Sequence, residues 1–341
     1  MTGVRFASIH QPRNRTLQNA VTADPASPPV RARGASSGSL GDAVFAGLTR
    51  TTGVFVLLLL GAIIITLFIG GWQAFRTFGA GFLFSTDWDP VQHIYGAAVP
   101  IFGTLVTAII ALIVSVPISF GVAFYLTELA PSWLRQPVGT AIELLAAVPS
   151  IIYGMWGFFV IVPIMAQYVQ PTVIDSLGDL PVVGDFFQGP PFGTGILTAA
   201  LILAVMIIPF IAATMRDVFL TVPAVYKESA YGIGCTTWEV MRSIVIPYTK
   251  TSVVGGIMLG LGRALGETMA VTFVIGNTNR IATTIFGPGN TIASIVALEF
   301  PESEAGSLKL SSLLALGFIL FVISFIVLAI SRLLLRPRAK A

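Results

Sequence analysis

Charge is scarce in this chain. Asp, Glu, Lys and Arg make up 10% of its 341 residues, against about 25% in soluble domains. The deficit, with 55% hydrophobic residues, excludes an ordinary soluble domain and leaves an integral membrane protein. Cysteine is nearly absent: Cys235 stands alone, which excludes an intramolecular disulfide. The two histidines, His10 and His93, lie far apart and form no metal-ligand spacing. No G-x-x-x-x-G-K-[ST] stretch occurs, so the chain has no recognisable phosphate cradle for ATP. No continuous apolar run lies near the start, which argues against a cleaved signal peptide. The net charge of +3 comes from basic residues spread along the chain rather than clustered, so nucleic acid is not expected as a partner.

What the sequence does have is long apolar runs. Six are near the length of about 20 residues that a helix needs to cross a bilayer. They run from Gly53 to Trp72, Gly96 to Thr127, Ala141 to Ala166, Phe192 to Met215, Ser252 to Gly276 and Leu310 to Ser331. The expected fold is therefore all-α, with six transmembrane helices in residues 51–335. Residues 1–50 are rich in Pro, Ser, Gly and Arg without hydrophobic periodicity and read as a disordered basic tail. Residues 336–341 form a short basic C-terminus.

Lys and Arg set the expected orientation. With both termini cytoplasmic, the tail and the segments 128–137, 216–250 and 332–341 hold fifteen of the nineteen. The outer loops hold only Arg76, Arg280 and Lys309. The positive-inside rule thus predicts cytoplasmic N- and C-termini. Glu143, near the start of the third run, reads as a side chain snorkelling to the headgroups. Trp72 and Trp88 read as interfacial belt residues.

Two stretches carry candidate chemistry. The first is GLGRALGETMAV, residues 260–271. Arg263 and Glu267 are the only charges between Ser252 and Gly276. On a continuous helix, i and i+4 side chains are neighbours, so the two can pair. One reading is a buried pair that locks the bundle. The other is a substrate path, in which the planar guanidinium binds an oxyanion and Glu267 restrains it. Gly256 with Gly260, and Gly262 with Gly266, are small-xxx-small pairs that permit close helix packing, with a second subunit as the expected neighbour.

The second stretch is ESAYGIGCTTWEVMRSIVIP, residues 228–247. A glycine turn at Gly232–Gly234 separates two helical segments, and Trp238, Val240, Met241 and Ile244 form an apolar stripe. From the residues alone, the stripe faces either the protein's own core or a partner. This loop resembles the EAA loop of ABC importer permeases: Glu-Ala-Ala, three residues, Gly, nine residues, Ile-x-Leu-Pro. Glu228, Ser229, Ala230, Gly234, Ile244, Ile246 and Pro247 stand at those positions. Ser229 for Ala and Ile246 for Leu are the departures.

Further stretches resemble the phosphate-specific PstC branch. They are FLFSTDWDP from Phe82, ISFGVAFYLTELAP from Ile118, LLAAVPSIIYGMWG from Leu144, GGIMLGLGRALGETMAV from Gly255 and FGPGNTIASIVALEF from Phe286. The resemblance covers roughly residues 75–332. It implies the type I ABC importer (MetI-like) permease fold in a plasma (inner) membrane. It implies a permease subunit for inorganic phosphate, non-catalytic itself, with ATP and Mg bound by a partner ATPase. The implied partners are a PstA-like second permease, a PstB-like ATPase dimer docking on the coupling loop, and a PstS-like phosphate-binding protein outside. Alternatives are an importer permease for another oxyanion, such as sulfate or molybdate, a secondary transporter, or a membrane scaffold.

Overall fold

The computed structural model describes residues 40–334 except 179 and 181–183. The basic tail before residue 40 and the C-terminus 336–341 lie outside the described residues. Six helices are long and apolar enough to cross a membrane: Gly41–Phe78, Ala98–Leu129, Ser150–Leu177, Ile196–Leu220, Thr237–Leu265 and Leu308–Leu333. No β-strand occurs among the described residues. The number of spans agrees with the sequence, whereas several boundaries do not.

The first helix starts at Leu40, inside the stretch read as tail. Leu40, Val44, Phe45 and Leu48 recur there at helical spacing, a short pattern that the Pro- and Ser-rich composition upstream obscures. The third apolar run divides in two. A separate helix, Ser132–Ala146, ends at Ala147, and the span proper begins at Ser150. Pro149 cannot donate to the preceding turn, so the chain breaks there. Glu143 therefore lies on this separate helix and not on the span. Its carboxylate pairs with Arg216 at 2.5 Å instead of simply snorkelling.

Proline shapes the remaining helices as well. Four π-helical turns, Tyr125–Leu129, Gly157–Ile161, Met165–Val169 and Met241–Val245, each stand two residues before a proline. The prolines are Pro131, Pro163, Pro171 and Pro247. A proline ring clashes with the carbonyl four residues back and offers it no N–H. At Pro163, Pro171 and Pro247, widening the preceding turn by one residue accommodates that defect without breaking the helix, whereas before Pro131 the helix ends at the extended Ala130.

The fourth span is the central element. Ala199, Ala200, Leu203, Met206, Ile207, Ile211, Met215 and Phe219 are all buried, and the second span packs along it. Ser119 donates to the Ile208 carbonyl at 3.1 Å between these two helices. A second core lies toward the other end of the bundle. There Phe82, Trp88, Tyr95 and Ala97 meet Ile292, Ile295, Leu313 and Leu316. Trp88 is 8% exposed and its Nε1 donates to Glu299 at 2.9 Å. Glu299 is also paired with Lys309 at 3.2 Å. Trp88 is thus an interior anchor, not the belt residue its loop position predicts. Trp72, 54% exposed, stays on the surface as expected of a belt residue.

Candidate translocation and coupling sites

The fifth span does not run on to Gly276. Its helix ends at Leu265, Gly266 caps it with φ −92° and ψ 2°, and a short helix, Met269–Thr272, follows. Neighbouring contacts give the depth of this break. A Cβ on Gly256 would meet Thr214, and one on Gly260 would meet Ile211. Beyond the break, Gly195 N donates to the Val274 carbonyl at 3.0 Å. These contacts run antiparallel along Ile196–Leu220, so Arg263 is level with the middle of the fourth span. Discontinuous backbone at membrane depth is tolerated only inside protein or beside a water-filled cavity.

The break separates Arg263 from Glu267. No ion pair joins them within 4.0 Å among the described residues, contrary to what the i, i+4 spacing predicts. That spacing makes neighbours only on an unbroken helix. Glu267 turns instead into the break, where its Oε1 accepts from Ala270 N at 3.1 Å. It is 9% exposed. The carboxylate satisfies a backbone N–H that the interrupted helix leaves free. The expectation that Glu267 restrains the guanidinium is therefore corrected: Glu267 stabilises the break itself.

Arg263 is half-buried and unpartnered. Its Nε is buried with no hydrogen-bond partner. Its guanidinium carbon lies over the Phe210 ring, 5.9 Å from the centroid. A cation–π contact contributes about 0.5–2 kcal/mol. An Arg at the centre of a membrane helix costs about 2.5–3.5 kcal/mol on insertion scales. The helix C-terminus adds about 0.3–1 kcal/mol in favour of a cation. The balance leaves a fixed positive charge at mid-depth with donors to spare, and such a group can hold an oxyanion through paired N–H bonds.

The glycine pairs divide. Gly256 and Gly260 pack on Thr214 and Ile211 of this same chain, not on a second subunit. No atom of another segment approaches the Cβ position of Gly262 or Gly266. That second pair lies on an open face beside the exposed Leu259. Sequence spacing gave both pairs the same role because it carries no information about which helix face is already covered.

The loop 228–247 forms a short helix, Ala224–Gly232, a turn, and the start of the fifth span at Thr237. Gly234 adopts φ +93°, a conformation that side chains rarely take. Cys235 N donates to the Ala230 carbonyl at 3.1 Å to close the turn. Thr236 and Glu239 then start the next helix with a reciprocal capping box. Glu228 and Ser229 are exposed, as is Ile233 at 83%, and Ala230 faces inward. Pro247 follows the π turn, between the half-buried Ile246 and the exposed Tyr248. The predicted stripe points mostly to the protein's own core. Val240 and Met241 are buried, Ile244 is half-buried, and Trp238 packs edge-on against Phe124. The exposed apolar surface comes from Val225, Tyr226, Tyr231 and Ile233, joined by Trp238, which stays 52% exposed. Lys227 and Glu128, which the sequence does not single out, form a buried ion pair beside it at 2.6 Å.

Residues 115–340 match the family described as binding-protein-dependent transport system inner membrane component. The phosphate transport system permease protein PstC of Pasteurella multocida is 61% identical over 292 residues, 86% of this chain and 91% of that protein. The probable PstC of Methanocaldococcus jannaschii is 33% identical over 80% of this chain and 87% of its own. A chain of a bacterial alginate ABC transporter, solved with its periplasmic protein, shares the fold at a TM-score of 0.57 and 16% identity, covering 88% of this chain and 96% of that one. The chain belongs to the binding-protein-dependent transport system inner membrane components, and among them to the PstC-type permeases.

Proposed function

We propose that this chain is a transmembrane subunit of an ATP-driven importer of inorganic phosphate in the inner membrane, and that phosphate passes Arg263 at the break in the fifth span. The observation that carries this reading is the unpartnered guanidinium at mid-depth. A structural arginine in that position needs an anionic neighbour, and the nearest acid in sequence caps a backbone N–H instead. Relatives named as phosphate permeases support phosphate as the anion.

The exposed face of Ala224–Gly232, with Glu228, Ser229 and Ile233, would dock a PstB-like ATPase, which binds ATP and Mg. The open face carrying Gly262 and Gly266 would meet a PstA-like permease. The opposite end of the bundle would receive a PstS-like binding protein. Both termini would then be cytoplasmic, in agreement with the distribution of Lys and Arg. Reconstitution tests the proposal. Proteoliposomes with both permeases, the ATPase and the binding protein should accumulate phosphate only with ATP. Sulfate and molybdate should compete poorly. Uptake without the ATPase, or driven by an ion gradient alone, would overturn it.

A further inference from the structure

The surface proposed for ATPase docking is fastened to the membrane domain by a buried charge pair. Lys227 Nζ lies 2.6 Å from Glu128 Oε1, and the two side chains are 16% and 7% exposed. Lys227 and Ala230 form the inward face of Ala224–Gly232, one turn apart, while Tyr226, Glu228 and Tyr231 face outward. Glu128 belongs to the π turn Tyr125–Leu129 that ends the second span. Among the described residues, the other ion-paired cluster at this end of the bundle, Arg216 with Glu143 and Asp217, has solvent-exposed acids, and such pairs are weak. A pair as buried as Lys227–Glu128 resists separation, because removing either partner strands a charge.

We propose that Lys227 and Glu128 are positioning residues for coupling: the pair transmits displacement of the docking helix to the second span, and so to the site around Arg263. This rests on the docking reading given above. The physical connection is continuous. Lys227 holds Glu128, and the second span from Glu128 leads back to Ser119, whose hydroxyl bonds the Ile208 carbonyl of the fourth span. Two residues further on, Phe210 faces the guanidinium of Arg263. A link of this kind acts when it holds one geometry under load, as a short buried ion pair does and a flexible apolar contact does not.

The test uses the whole complex in proteoliposomes and reads phosphate imported per ATP hydrolysed, measured per assembled complex. Lys227→Met and Glu128→Gln should each lower that ratio about tenfold, within the range of site-to-site coupling, with the ATPase still bound. Lys227→Glu combined with Glu128→Lys restores the pair in reverse and should recover most of the ratio. Lys227→Arg keeps the charge and should stay near wild type. Single variants that lose yield but keep the wild-type ratio would overturn the proposal, because the pair would then serve folding alone. Failure of both singles to assemble, or no recovery in the reversed pair, would overturn it as well. The docking reading fails in a different way: the ATPase would stay bound, with a normal ratio, after Ile233→Asp.

Discussion

Arg263→Gln is expected to abolish most phosphate uptake while leaving subunit yield and basal ATPase activity intact. Glutamine keeps a polar side chain but loses the charge and the paired donors. A hydrogen bond to a charged group is worth about 1.5–3 kcal/mol, so uptake should fall by about 10- to 100-fold. Arg263→Lys retains the charge without the planar fork and should give an intermediate rate. Because no carboxylate among the described residues is paired with Arg263, adding Glu267→Gln should not restore uptake. Yield and uptake, measured together in membranes, separate the two roles that the sequence leaves open. Low yield in the single variant, rescued in the double, would mark a locking ion pair. Normal yield with absent uptake in both is the expected result.

Gly234→Val should disconnect the permease from its energy source. At φ +93° a β-branched residue is strained by about 1–3 kcal/mol. Among the described residues, no atom beyond the adjoining Ile233 and Cys235 lies within 4 Å of the Cβ position, so the strain is in the backbone and not in crowding by other segments. The chain relieves it by rearranging the turn between Gly232 and Thr236, which reorients the docking helix without disturbing the spans. The expected outcome is normal membrane yield with lost phosphate-dependent stimulation of the ATPase. Gly234→Asn should be milder, since asparagine enters positive φ more readily. Stimulation that survives Gly234→Val would show that docking does not depend on this bend.

Much of the architecture was legible in the sequence because lipid imposes a crude rule. Apolar runs of membrane length are hard to disguise, and the number of spans follows from them. The interruption of the fifth span was not legible. Gly266, Glu267 and Thr268 lie between apolar stretches, and hydropathy averages across them. The Arg263–Glu267 pair depended on helix continuity, which the break removes. The bend at Gly234 was legible, since glycine at a turn between two helical patterns has a local backbone cause. The orientation of Val240 and Met241 was not, because an apolar stripe fits a core and a partner equally well. Lys227 and Glu128 stand 99 residues apart. Nothing local in either one signals the other; only the packing of the second span beside the docking helix brings them together.

The most direct measurement replaces the guanidinium chemically. In a Cys235→Ser background, Arg263→Cys provides a thiol at the break, which is then modified with a small ammonium-bearing reagent or a neutral reagent of the same size. If phosphate passes a fixed positive charge at residue 263, uptake returns with the cationic adduct and not with the neutral one. Phosphate, delivered by the binding protein during turnover, should also slow the modification. Equal recovery with both adducts, or modification indifferent to phosphate, would contradict a translocation path past Arg263.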